Sequence, residues 1–174
     1  MSIINNIANF ILSKKESRLA VTKITKQFFS WNQLSNVIIV AYDNQLSDLV
    51  DFMNACKKDN IKVHVAVIYN GKPEQTPKPN FDHTILDRKQ FSFFKIPHES
   101  VLQKLNAMNF EVLINLGNQE QLQAFALSKL LPVKCKISNF KNDIFDITID
   151  GDTIMTSSNY LKQVVVYLNM IKTK

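Results

Sequence analysis

The chain has 174 residues and a mass of 20.0 kDa, enough for one domain with its own core and too little for two of comparable size. A composition 45% hydrophobic and 21% charged excludes a disordered chain. The net charge of +6 rests on nineteen lysines and only two arginines, Arg18 and Arg88, which argues against a nucleic-acid reader, since such proteins fork arginine onto phosphates and guanine edges.

The first residues lack the basic start and unbroken apolar run of a secretory signal, and no run is long enough to cross a bilayer, so a cytoplasmic protein is expected. From Ser2 to Arg18, Ile3, Ile4, Ile7, Phe10 and Ile11 fall on one stripe of a helix, with Lys14, Lys15 and Arg18 near its C-terminal end. A second helical stretch, Val21 to Trp31, carries Ile24, Phe28 and Trp31. These helices form an N-terminal extension, residues 1–33, packed on the domain or on a second copy in a homodimer. A basic end beside an apolar stripe also suits an anionic membrane surface, but packing within a protein is the commoner use.

From residue 34 to 174 the pattern alternates between strand and helix. Val37–Tyr42 is an uninterrupted apolar run, as a parallel strand covered on both faces requires, and Asp43-Asn44 can cap the helix from Gln45 to Lys58. A strand from Ile61 to Tyr69 leads into a loop with Gly71, Pro73, Pro77 and Pro79. Short strands are predicted at Thr84–Leu86 and Phe91–Phe94, and a helix from His98 to Met108 after Pro97. Phe110–Leu116 is a further strand, Gln119–Leu131 a helix and Val133–Ile137 a strand. Phe145, Ile147 and Ile149 alternate with Asp146, Thr148 and Asp150, and Asp150-Gly151 before Thr153–Met155 reads as a tight hairpin. A closing helix from Ser158 to Lys172 buries Leu161, Val164, Val165 and Leu168. The predicted fold is α/β: a Rossmann-like three-layer sandwich with a mainly parallel sheet and an antiparallel edge hairpin.

Ligands of such sheets bind at the carboxyl ends of the strands, where the strand order reverses. A dinucleotide site needs GxGxxG after the first strand, yet the turn reads Asp43-Asn44-Gln45-Leu46-Ser47, and no glycine precedes Gly71. No P-loop and no GxSxG elbow occurs, so no cofactor is implied. The turn Leu116-Gly117-Asn118 holds one glycine, which turn geometry explains more simply than anion binding. Asp43, Asp48 and Asp51 could supply oxygen ligands to Mg²⁺, but a helix cap and solvated faces account for them, and turn formation accounts for Asp150 and Asp152. His64, His83 and His98 have no metal-ligand spacing, and a nucleophile–base pair built on His64 would depend on the fold. Cys56 and Cys135 stand far apart with no CxxC, which predicts two buried thiols and no zinc site.

The run of Val37–Tyr42, Phe110–Leu116 with Leu122–Ala126, Val133–Ser138 and Phe145–Ile149 resembles a family of small bacterial α/β proteins defined as a domain of unknown function. Residues 36–150 are more remotely similar to the N-terminal half of heptosyltransferase-like glycosyltransferases, in which a strand of this kind precedes a helix and a short basic strand. That resemblance implies a Rossmann-like fold and, for a catalytic acid near the first strand's loop, Asp43. Those enzymes hold the sugar nucleotide mainly in a second Rossmann-like half, for which this length leaves no room.

Two functions follow. The first is a non-catalytic binding or assembly module. The second is a small enzyme, or a relic of a glycosyltransferase half, binding an anionic or sugar ligand around Asp43, Asn44, Asn115, Gly117 and Asn118.

Overall fold

The computed structural model describes residues 10–14, 24–72, 75–149 and 156–172. Six strands form one sheet: β1 (Asn36–Tyr42), β2 (Lys62–Ile68), β3 (His83–Leu86), β4 (Val112–Asn115), β5 (Cys135–Ser138) and β6 (Ile147–Thr148). Their order is β3-β2-β1-β4-β5-β6 and every pairing is parallel. Among the described residues, four α-helices flank it besides the helical segment 10–14: α1 (Val50–Lys58), α2 (Glu99–Asn106), α3 (Leu122–Leu130) and α4 (Ser157–Met170).

The two-sided apolar run of β1 explains the layering. Val37, Ile39 and Ala41 pack with Leu49, just before α1, with Cys56 of α1 and with Leu161, Val164 and Leu168 of α4. Ile38 and Val40 face the other way, onto Leu102 and Leu105 of α2 and Leu127 of α3. Helix α1 leads from β1 to β2 and α3 from β4 to β5, on opposite faces, as right-handed crossovers running outward in opposite directions demand. Glycine scarcity shows at the helix ends: Asn60 (φ 58°) follows α1 and Asn109 (φ 53°) follows α2, each adopting the left-handed conformation that asparagine tolerates best among residues with a Cβ.

Several expectations are corrected. Residues 24–30 are not helical; residues 25–28 are exposed and Phe29 and Ser30 buried, and Gln27 N–H donates to Lys134 O. Trp31–Gln33 is a single 3-10 turn. In the first helix, residues 10–14 are helical, but Leu12 is the buried residue while Phe10 is exposed; Ile3, Ile4 and Ile7 lie outside the described residues. Phe91–Phe94 forms no strand, only an isolated bridge between Phe91 and Pro97 around a turn with Lys95 at φ 62°.

The edge strand β6 shows the expected wet face, with Ile147 buried and Thr148 exposed, but it runs parallel to β5. An antiparallel edge hairpin is therefore not supported; its turn and second arm, residues 150–155, lie outside the described residues. Asp146 holds this edge, its Oδ2 accepting from Lys136 N–H at 2.8 Å and from Lys26 Nζ at 2.9 Å. Among the described residues no helix is long and apolar enough to cross a membrane.

Candidate functional site

The strand order reverses between β1 and β4, and the chain leaves these two strands toward opposite faces, which opens a crevice at their carboxyl ends. After Tyr42 the chain turns at once into a 3-10 helix, Asp43–Leu49, before α1 begins. Asp43 and Asn44 are exposed, and neither side chain has a partner among the described residues. They do not cap the helix. Tyr42 is the cap residue, and Gln45 Oε1 accepts its backbone N–H at 2.8 Å.

The same glutamine crosses the crevice. Its Nε2 donates to Leu116 O, just beyond β4, at 2.9 Å and to Ser157 Oγ, at the start of α4, at 3.1 Å. One side chain thus ties together two strand ends and a helix 112 residues away.

Beyond β4, Asn115 is fully buried and its Oδ1 accepts Gly117 N–H at 3.0 Å, an Asx turn. Gly117 is required for space, since a Cβ there would lie 2.6 Å from Ala124 Cβ on α3. Asn118 is exposed; its N–H donates to Gln121 Oε1 at 2.8 Å, and its Oδ1 accepts Glu120 N–H at 3.0 Å. Asn115, Gly117 and Asn118 therefore share one turn, while Asp43 and Asn44 stand on the neighbouring strand end without contact to it. The amides of Tyr42, Gly117, Asn118 and Glu120, which an anion at this rim would use, are all engaged by side chains of the rim itself. Burial pushes the Tyr42 hydroxyl up to about 12, against a smaller lowering by a hydrogen bond with the Ala124 backbone. It is a neutral phenol at physiological pH.

The other candidates fall elsewhere. Asp51 is exposed and 3.7 Å from Lys162 Nζ. His83 Nδ1 lies 2.7 Å from Phe81 O, and His98 is the exposed cap residue of α2. Asp150 and Asp152 lie outside the described residues. Among the described residues no group of three His, Cys, Asp or Glu could hold a metal ion. Cys56 and Cys135 are free and buried, as expected, and burial pushes both thiols up to about 12, with a further rise from Asp59 and Asp146 respectively. Neither is a ready nucleophile. Gln45 and Ser157 escaped the sequence reading. A glutamine three residues past a strand end is a weak hint, and nothing local points to Ser157.

Fold and rim together define a Rossmann-ordered α/β domain with a self-capped strand-end crevice. The chain belongs to a family of unknown function, DUF6913, whose model matches residues 5–171. No curated protein matches it. Among solved structures it is similar to a glycosyl transferase family 9 protein from Veillonella parvula DSM 2008, with TM-score 0.55 and 15% identity over 84% of this chain and 43% of that one. The chain spans less than half the length of that protein, and the likeness is one of fold. Both resemblances read from the strand pattern are thereby supported.

Proposed function

We propose that this chain is a cytoplasmic binding or assembly module whose strand-end crevice holds the fold together instead of holding a nucleotide. The observation that carries this reading is Gln45, which occupies the switch point with hydrogen bonds to Tyr42, Leu116 and Ser157. A pyrophosphate there would have to displace these bonds and the side-chain caps on the neighbouring amides. Two buried, unpaired thiols suit a reducing compartment. A homodimer through the N-terminal helical segment belongs to the same reading, supported by the Phe10 ring, 62% exposed beside the buried Leu12.

The fold likeness to a glycosyl transferase favours a second reading, a relic of such a half that still takes a sugar ligand around Asp43, Asn44 and Asn118. Thermal-shift titration with nucleotides and nucleotide sugars separates the two. A ligand at 100 times its dissociation constant stabilises the folded state by about 2.7 kcal/mol, readily seen as a rise in melting temperature. A flat panel is expected. A saturable rise with a nucleotide sugar, lost in Asn118→Ala, would replace the first reading by the second.

A further inference from the structure

We propose that Thr84 is an acyl-accepting nucleophile, activated by His64 and oriented through Asp82, and that the chain hydrolyses small carboxylic esters in the recess between β3 and α2. The His64 side chain, 4% exposed in β2, places Nε2 2.9 Å from Thr84 Oγ1 on the adjacent strand. On its other side Asp82 Oδ2 lies 2.9 Å from Nδ1, off the N–H direction, so the contact is electrostatic and not an aligned hydrogen bond. Catalytic contacts often tighten only around substrate. The Phe110 ring, 5.7 Å away between centroids, covers the imidazole.

The carboxylate favours the proton on Nδ1, which makes Nε2 the acceptor for the Thr84 hydroxyl and leaves the Oγ1 lone pairs free. Nucleophile and base are thus within hydrogen-bond reach, with a carboxylate beside the second ring nitrogen of the base, the three groups that acyl transfer uses. Thr84 reaches the wall of a recess of about 250 Å³, shared with Leu86, Gln90, Ser100, Val101 and Lys104. The Lys104 ammonium, the Ser100 hydroxyl and the Gln90 amide N–H groups have no partner among the described residues; Gln90 uses only Oε1, which accepts Asp87 N–H at 2.8 Å. These donors line the recess that Thr84 reaches, and Leu86 and Val101 offer an apolar wall to a short acyl chain. The recess lies at the β3 edge, with β2 between it and the β1–β4 crevice, so either site can fail without the other.

In the first half-reaction Thr84 Oγ1 bonds to the ester carbonyl carbon as His64 Nε2 takes its proton, and the carbonyl π pair moves onto oxygen. Collapse restores the carbonyl and breaks the bond to the leaving alkoxide, which takes the proton from Nε2. Water then attacks the acyl-Thr84 ester, passes a proton to Nε2 and releases the carboxylic acid, and Oγ1 recovers its proton. The sum is ester plus water giving acid plus alcohol.

The test incubates the whole chain with p-nitrophenyl butyrate. A burst of one nitrophenolate per chain is expected, with one butyryl group found by peptide mass spectrometry on Thr84. Thr84→Val, which keeps shape and removes the hydroxyl, abolishes the burst, and Thr84→Ser retains it. His64→Gln slows acylation by roughly 10²–10⁴-fold. Asp82 acts as a positioning residue, so Asp82→Asn lowers the maximal acylation rate while leaving the half-saturating ester concentration and the melting temperature unchanged. Absence of a burst, or label on a lysine or on Ser100, overturns the proposal from the native chain alone, whether or not the variants fold.

Discussion

Replacing Gln45 by alanine tests the claim that this residue is a structural bolt across the crevice. Three hydrogen bonds disappear, to Tyr42 N–H, Leu116 O and Ser157 Oγ. Each contributes about 1 kcal/mol net, and glutamine's ordering entropy, about 1.5–2 kcal/mol when fully fixed, offsets part of that. Leu116 is only 4% exposed, so its carbonyl loses its partner in a nearly dry place, a further cost of about 1–3 kcal/mol. The balance is a loss of about 2–4 kcal/mol. With a urea slope of about 2 kcal/mol per molar, the midpoint falls by about 1–2 M at unchanged slope. Ser157→Ala costs about 0.5–1 kcal/mol alone and almost nothing in the Gln45→Ala background, because its partner is already gone. A midpoint shift below about 0.2 M for Gln45→Ala, or strictly additive effects in the double variant, would refute the bolt and with it the reason the crevice is closed.

Gly117→Ala forces a Cβ to 2.6 Å from Ala124 Cβ and lowers stability by about 1–3 kcal/mol in the same urea assay. Adding Ala124→Gly removes the clash, so the pair couples favourably by at least about 1 kcal/mol even though glycine weakens α3; independent effects would contradict the contact. The two thiols make stability fall at alkaline pH. Each is raised from 9.0 to about 12 in the folded chain, so between those values the unfolded chain has lost protons that the folded chain keeps. Their contribution is complete below pH 9 and is lost toward pH 12, by up to about 1.4 kcal/mol per pH unit for each thiol. Urea midpoints at about pH 8 and about pH 10.5 are expected to separate more in the native chain than in Cys56→Ala/Cys135→Ala, and equal separations would show that the thiols are not desolvated.

Periodicity alone determined the layers of this protein. The run Val37–Ala41 has no polar residue on either face, which only a strand covered on both sides accommodates, and α4 carried a readable apolar stripe in Leu161, Val164 and Leu168. Local pattern misled where few residues carry the signal, as at 24–31, where Ile24, Phe28 and Trp31 fit a helical stripe but Phe28 is exposed while Phe29 and Trp31 are buried. Strand order, the parallel edge at β6 and the two polar constellations were decided only in three dimensions. Gln45 meets Ser157 across 112 positions and His64 meets Thr84 across 20, because the sheet aligns strands by register and not by chain distance. Hydrogen bonds of that kind depend on angstrom-scale placement, which a pattern of oily and polar residues does not encode.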